Sequence, residues 1–449
     1  MKNNRDLTKG SIKKHLFRLT GPMIFGVLGI TIFNLVDTYF VGLLGTNELA
    51  ALSYTFPIVL TFSSLTLGVS TGVSAMVSKA AGKSNPDKLK ELIFDSIVLS
   101  VICIIIFIAI GFLVLRPVLS LMNAEEELIP IIMRYMVIWL PGLVFVVFPM
   151  VGNGIIRALG DAKTPAIVMI IAGTVNAVID PLLIFGIGPF PELGVPGAAI
   201  ATVIGRFTTF CVALYVLMRR DKVLVLQRRT LRQMAANWKE ILVVAMPAGL
   251  SRVILPVGTG IITGLIAGYG VAAVAGFGVA VKVENFIIIV SYSMASIIVP
   301  LAGQNIGAGL FDRVKNTLSY SNKFVLMFQG GSFLVILFIA PFLARLFSKD
   351  PDVIKTAALY LRIVSVAYGA KGLILISSAM LNVMRRPLLA AAINLGQMFV
   401  LFVPLSLLGN HWFGIRGIFI ALALSLILAG IAAWVLAEKR LMKISAKST

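Results

Sequence analysis

The sequence predicts an all-α integral membrane protein with about twelve transmembrane helices, and three observations support this fold class. The 449-residue chain is 59% hydrophobic and 13% charged, whereas soluble domains carry about 25% charged residues. Its mean hydropathy is +0.99. Apolar stretches of the length that crosses a bilayer, about 20 residues, recur along the whole chain. No sizeable soluble domain is therefore expected.

Short segments rich in charge, glycine or proline separate the apolar stretches, so each stretch is interpreted as one spanning helix. In chain order the predicted spans are 16–43, 49–78, 92–115, 128–152, 164–187, 195–218, 240–268, 273–301, 316–344, 353–381, 388–409 and 415–437.

The two halves of the chain are diverged copies of one unit. Residues recur at an offset of 225 early in the copies and of 220 near their ends; examples are Pro22 with Pro247, Gly45 with Gly270, and Gly197 with Gly417. Six spans per copy give both copies the same membrane orientation, which is a known transporter plan. We expect two pseudo-twofold-related lobes with a central V-shaped cleft: an N-lobe over 1–218, a cytoplasmic basic linker over 219–239 and a C-lobe over 240–449.

The formal net charge is +20, and its distribution along the chain is typical of a membrane protein rather than of a nucleic-acid-binding protein. Lys and Arg concentrate in the N-terminal tail, after the second span, in the linker 219–239 and in the C-terminal tail, whereas 44–48, 188–194 and 269–272 contain none. This is the positive-inside pattern, which predicts cytoplasmic termini. Nucleic-acid binding is not expected.

Buried carboxylates occur only in the first copy. Asp37 and Asp180 lie deep in apolar stretches, and the corresponding positions of the second copy are Ile262 and either Phe402 or Val403. An ionisable group in hydrocarbon is costly, so it is either functional or held by a partner. This asymmetry indicates a transporter whose coupling ion binds in the N-lobe.

Polar neighbours accompany both carboxylates. Asn34, Asp37 and Thr38 share a helix face, as do Asn176 and Asp180, while Thr202 lies on the next span. An all-oxygen set suits H⁺ or a hard cation such as Na⁺, with no other cofactor. The alternative is that these side chains only hold the bundle together by hydrogen bonds.

The second copy has its own polar residues at depth. Glu284 has Arg252 and Lys371 as candidate partners, and a structural ion pair is the favoured interpretation of Glu284. Lys371 either pairs with Glu284 or meets an anionic substrate group. These three residues form a possible C-lobe polar site.

Four stretches carry a resemblance to the multidrug and toxic compound extrusion (MATE) family: NLVDTYFVG at 34–42, GNGIIRALGD at 152–161, NAVIDP at 176–181 and GVPGAAIAT at 194–202. The chain is most similar to the DinF-like branch. The resemblance implies export of amphipathic, often cationic, small molecules by a monomer in a prokaryotic inner membrane. It also implies H⁺ or Na⁺ coupling at Asp37, with Asn176, Asp180 and Thr202 completing the site. Lys371 departs from the NorM-like branch, which has an acid there.

Three other functions compete with cation-coupled antiport. A flippase for a lipid-linked saccharide would use Arg206, Arg252 and Lys371 to bind pyrophosphate. A membrane enzyme would need a nucleophile with a base, or a metal set, and the sequence offers neither. An ion channel would give currents without exchange.

Overall fold

The computed structural model describes residues 5–83, 85–122 and 126–446, apart from the side chains at 34, 35, 37, 38, 42, 46, 47, 49, 50, 53 and 255–257. All regular structure in these ranges is helical, which confirms the predicted all-α class. The helices are α1 Ile12–Gly42, α2 Thr46–Gly82, α3 Pro86–Leu121, α4 Ile129–Trp139, α5 Val144–Ala158, α6 Lys163–Phe185, α7 Val195–Tyr215, α8 Leu231–Ala267, α9 Val271–Gly307, α10 Phe311–Arg345, α11 Pro351–Val364, α12 Tyr368–Val383, α13 Pro387–Leu395, α14 Val403–Phe413 and α15 Ile415–Ser445.

Over the described residues, twelve helical segments are long and apolar enough to cross a membrane, as predicted. Two of them are interrupted at matching places in the repeat. A 3-10 turn at Pro141–Leu143 joins α4 to α5, and another at Ser365–Ala367 joins α11 to α12. The eleventh span also contains a π-helical turn at Gly396–Phe402 between α13 and α14.

Several helices extend beyond their predicted apolar stretches because their polar ends carry good helix-starting residues. The Asn85 side chain caps α3 by accepting a hydrogen bond from the Lys88 N–H at 3.1 Å, and Pro86 follows the cap. Asp350 caps α11 in the same way, accepting from the Asp352 N–H at 2.8 Å. Hydropathy detects the part of a helix in lipid, and capping sets where the helix begins.

The described residues form two compact units. One comprises Arg5 and Gly21–Gly249, and the other comprises Asp6–Thr20 and 250–446. The second unit therefore includes the start of α1, and the first includes the start of α8, from Leu231 to Gly249. The lobe and linker boundaries given by the sequence remain a prediction.

Apolar side chains fill the interior of each unit. In the first unit, the Phe62 ring packs against the rings of Phe107 and Trp139, at centroid distances of 5.8 and 6.5 Å. In the second unit, the Tyr360 ring meets Phe419 edge-on at 5.1 Å, an arrangement that aromatic quadrupoles favour. Leu7 is fully buried in the second unit, where its N–H donates to Gln304 Oε1 at 3.0 Å.

Glycines that match in the repeat allow the same close helix contact in both units. A Cβ on Gly197 of α7 would lie 2.5 Å from the Leu183 carbonyl oxygen of α6. A Cβ on Gly417 of α15 would lie 1.8 Å from the Gly409 carbonyl oxygen of α14. Neither contact leaves room for a side chain. The loop before each of these helices ends in a glycine with φ +59°, a conformation that glycine adopts without strain.

Candidate functional site: buried polar groups in each unit

The first candidate site lies where α6 and α7 pack together. Asn176 and Asp180 are one turn apart on α6, and they are 2% and 0% exposed. The Asn176 side-chain amide donates to Thr202 Oγ1 of α7 at 3.5 Å. The structure therefore places Asn176, Asp180 and Thr202 within one buried region of the first unit.

Small residues permit this approach of α7 to α6. A Cβ on Gly205 would lie 3.0 Å both from the Ala172 carbonyl oxygen and from the Asn176 Cβ. Any larger residue at position 205 would therefore push Asn176 away from Thr202. The close contact at Gly197 fixes the other end of the same helix pair.

Helix α1 runs alongside α6 in the same direction. Phe33 lies 3.3 Å from the position of a Cβ on Gly173, and further along, the Phe40 and Phe185 rings are 6.3 Å apart. In sequence, position 37 falls between these two contacts on α1, and positions 176 and 180 fall between them on α6. The predicted site residues Asn34, Asp37 and Thr38 lie outside the described side chains.

The chemistry of this region is that of oxygen acceptors in an apolar helix bundle. Asn176 Oδ1 is buried and has no hydrogen-bond partner among the described residues. Pro181 follows Asp180 and lacks an N–H, so it removes the usual helical donor to the Ala177 carbonyl. A carboxylate, an amide oxygen and a freed carbonyl together suit a proton or a hard cation.

The second candidate site lies in the other unit and is centred on Glu284 of α9, which is 5% exposed. Lys371 of α12 forms an ion pair with Glu284 Oε1. The hydroxyls of Tyr360 and Tyr368 donate to Glu284 Oε2 at 2.5 and 3.4 Å. Of the two partners that the sequence offered for Glu284, the structure selects Lys371.

Arg252 of α8 is half-buried and does not join this ion pair. No hydrogen bond or ion pair connects Arg252 to any residue in the described part of the chain. The three residues of the possible C-lobe site thus divide into a paired Glu284–Lys371 and a separate Arg252.

The second-copy counterparts of the N-lobe carboxylates are buried and apolar. Ile262 is 7% exposed and Phe402 is fully buried. The described part of the second unit consequently has no carboxylate at either position, and its polar centre is built on different helices.

Sequence reasoning missed Asp95, a fully buried acid of α3. Asp95 Oδ2 accepts hydrogen bonds from Asn237 at 2.6 Å and from Arg229 at 3.2 Å. Trp238 Nε1 donates to the Asp95 carbonyl at 2.8 Å. The sequence feature that could have identified Asp95 is an acidic residue inside the predicted span 92–115, for which the basic linker 219–239 offers partners. Asp95 attaches Arg229 and the first turns of α8 to α3.

A second charged cluster lies between spans, at the start of α6. Asp161 accepts from Arg5 at 3.1 Å, from Arg220 at 2.8 Å and from the Thr164 hydroxyl at 2.7 Å. Arg5 also binds Asp221 at 2.7 Å. Burial raises the pKa of Asp161, but the Thr164 hydrogen bonds and the two guanidinium charges outweigh it and hold the pKa below its ordinary value.

Groups of three or more His, Cys, Asp or Glu that could hold a metal ion do not occur among the described residues. The described members of the first site are Asp180 with neutral amide and hydroxyl groups, which is a set for one proton or one monovalent cation rather than a transition metal.

Comparison with known proteins gives one consistent family. The MatE family model matches twice, over residues 22–182 and 247–408. These two stretches begin at Pro22 and Pro247, which are the first matched pair of the internal repeat. The repeat is therefore seen independently in the family model.

Relatives and solved structures match along nearly the whole chain. A FAD transporter of Shewanella oneidensis is 36% identical and covers 98% of this chain and 97% of its own length. Multidrug export protein MepA of Staphylococcus aureus is 23% identical, covering 95% and 93%. The Vibrio cholerae MATE transporter VcmN in the bent form is 29% identical, with a TM-score of 0.90 and coverage of 96% and 97%.

Proposed function

The chain belongs to the MATE family of membrane transporters, and from this premise we propose that it exports amphipathic organic compounds in exchange for H⁺ or Na⁺. The coupling ion binds in the first unit at Asp37, Asn176, Asp180 and Thr202, with Asn34 on the adjoining turn. The exporter works by alternating access in a prokaryotic inner membrane.

The observation that carries this proposal is the fully buried Asp180 beside the Asn176–Thr202 hydrogen bond. A carboxylate at this depth is costly when ionised and changes its interactions strongly when it takes up a proton or a cation. The second repeat has the corresponding helices, but apolar residues stand at the positions that match Asp37 and Asp180. We therefore place ion coupling in the first repeat only.

The proposed mechanism couples ion and substrate through opposite preferences. Ion binding neutralises Asp180 and Asp37, which lowers the cost of burying them and favours one conformation of the transporter. The substrate favours the other conformation, and exchange requires this difference in affinity. Asn176 Oδ1 supplies an acceptor that no other described residue uses.

Asp180→Asn and Asp37→Asn test the ion site. In everted vesicles, ethidium uptake is measured under an imposed H⁺ gradient and then under an imposed Na⁺ gradient. We expect at least a tenfold loss in both variants under whichever gradient drives the wild type. Asp87→Asn, an exposed acid at the start of α3, is the matched control and should transport normally. Full gradient-driven transport by both site variants at normal expression would refute the proposed coupling site.

A second candidate substrate is a flavin dinucleotide. The relative from Shewanella oneidensis is named a FAD transporter, and FAD is an amphipathic anion with an aromatic ring system. Lys371 and Arg252 in the second unit favour an anion over the cationic drugs that the family resemblance implies. The same vesicles, given FAD in the outside medium in place of ethidium, distinguish the two substrates by uptake.

A further inference from the structure

We propose that the basic linker 219–239 is a docking surface for anionic phospholipids of the surrounding membrane. Its exposed cations bind the lipid phosphates, and the Leu226 side chain inserts among the lipids beside them. This inference goes beyond the proposed export function, because it involves neither the ion site nor the substrate.

The first end of the linker is fixed to the first unit where a helix enters the membrane. Arg220 pairs with Asp161 at 2.8 Å and with Asp221 at 2.9 Å. Asp161 stands three residues before the predicted span 164–187. The chain therefore leaves α7 at the level where α6 begins to cross the bilayer.

A second anchor follows at Arg229, which pairs with Glu91 at 2.8 Å and with Asp95 at 3.2 Å. Glu91 directly precedes the predicted span 92–115, and Asp95 lies in the first turn of that span. Because both anchors lie where spans begin, the segment 221–228 between them is held at the membrane surface.

The apolar residues between the anchors face in two directions. The Val223 and Leu224 N–H groups donate to the Leu217 carbonyl at 3.0 and 3.1 Å, and both side chains pack against the core of the first unit. Val225 and Leu226 are instead 43% and 90% exposed. A single exposed leucine is ordinary on a soluble protein. In a segment fixed at the membrane surface it meets the lipid boundary, where burial of its side chain is favourable.

The first turn of α8 continues this surface. Leu231 is 69% exposed, and the neighbouring Arg232 is exposed as well. Leu226 has an exposed arginine at a similar spacing, Arg228. The surface thus offers two apolar contacts with a guanidinium close to each, and long cationic side chains cover apolar surface while their charge stays at the headgroup level.

The charge of the linker favours an anionic lipid over a zwitterionic one. Its one acid, Asp221, already binds Arg5 and Arg220. Exposed cations that form no ion pair with any described residue are Arg219, Lys222, Arg228, Arg232 and Lys239. Clusters of Lys and Arg beside a membrane span attract anionic headgroups, whereas a zwitterionic headgroup brings no net charge to balance them.

Photochemical labelling in liposomes tests the proposal. The full-length transporter is reconstituted in phosphatidylcholine liposomes that contain a trace of either phosphatidylglycerol or phosphatidylcholine carrying a diazirine near its glycerol backbone. Labelled peptides are quantified by mass spectrometry after illumination. We expect peptides that cover 222–232 to be labelled at least fivefold more by the phosphatidylglycerol probe than by the phosphatidylcholine probe.

Two double variants that remove equal charge separate the linker from the rest of the protein. Arg228→Gln with Arg232→Gln should reduce the preference to less than twofold. Lys349→Gln with Lys355→Gln removes two exposed lysines near the connection from α10 to α11 and should leave the preference unchanged. Leu226→Asn should reduce labelling by both probes at least threefold without changing their ratio, because it removes the apolar contact and not the charge.

Salt provides a test that requires no substitution. Raising NaCl from 0.1 M to 1 M shortens the Debye length from about 10 Å to about 3 Å, so the wild-type preference should fall below twofold. Equal labelling by the two probes at 0.1 M NaCl, or a preference that neither salt nor the linker double variant reduces, would overturn the proposal. Labelling of the linker by neither probe would place it away from the lipid and would reject the docking surface as well.

Discussion

At the scale of single residues, the two units handle buried charge differently. Asp180 lies one turn from Asn176, which donates to Thr202, whereas Glu284 is bound by a lysine and two phenols. Both carboxylate oxygens of Glu284 are already engaged, one by the lysine and the other by the two phenols. For this reason we assign ion coupling to the first unit and a positioning role to Glu284.

Glu284→Gln is expected to destabilise the second unit, because it leaves the Lys371 ammonium without its counter-charge. Removing one member of a buried ion pair costs about 3–5 kcal/mol, and the partial exposure of Lys371 places this case at the lower end. Thermal unfolding in detergent measures the loss. The double variant Glu284→Gln with Lys371→Met removes both charges and should regain most of the stability. A double variant less stable than Glu284→Gln would contradict this account.

Asp161 gives the first unit a pH-dependent contribution to stability. Its folded-state pKa lies below the ordinary value of 3.8, so the stabilisation is fully present above that value and is lost as pH falls through the folded-state pKa. Asp161→Asn should lower the free energy of unfolding by about 2 kcal/mol at neutral pH, the range for hydrogen bonds to charged groups.

The measurement for Asp161 compares melting temperatures of wild type and Asp161→Asn from pH 7 to pH 3. The difference should be constant above about pH 5 and should shrink below about pH 4. Asp87→Asn serves as the exposed control. A difference that widened on acidification would have the wrong sign for this carboxylate.

At the scale of elements, close contacts at glycine set how neighbouring helices pack. In the second unit, Gly417 of α15 lies directly against the Gly409 carbonyl of α14. Backbone at this distance does not move aside as a flexible side chain would, so added volume must separate the two helices.

Gly417→Ala should therefore cost about 1–3 kcal/mol of unfolding free energy, the usual range for overpacking. Gly331→Ala, at an exposed position of α10 with open space around its Cβ, should instead stabilise by about 0.5–1 kcal/mol, since alanine is the better helix former. The same substitution thus has opposite signs at the two positions. Melting temperatures that moved in the same direction for both variants would reject the packing argument.

The interrupted fourth and tenth spans belong to this scale as well. Each was predicted as one continuous stretch, and each contains a 3-10 turn. Hydropathy averages over about 19 residues, so it does not register a three-residue change in hydrogen bonding inside an apolar segment.

At the scale of the whole molecule, the distribution of basic residues predicts orientation. Seven Lys and Arg residues occupy 219–239 and none occupies 188–194. A fluorescent protein fused at the C-terminus should fluoresce, because it would remain in the cytoplasm. Alkaline phosphatase should be inactive when fused there and active when fused after residue 190. The opposite pattern would invert the proposed topology.

The sequence by itself determined the fold class, the twelve spans and the duplication. These depend on composition, hydrophobic length and repeated glycines and prolines, which are properties of the chain taken in order. It also placed Asn176 and Asp180 on one helix face, because the spacing of side chains along a helix is fixed.

Only the tertiary structure decided which polar groups meet across helices. Asn176 reaches Thr202 because Gly205 brings α7 against α6. Glu284 pairs with Lys371 rather than Arg252, and Asp95 binds Asn237 in the first turns of α8. These partners lie 26 to 142 residues apart in sequence. The spacing of residues in the sequence determines which side chains share a helix face, but not which helix packs against that face. The neighbouring helix is selected by the packing of the whole bundle.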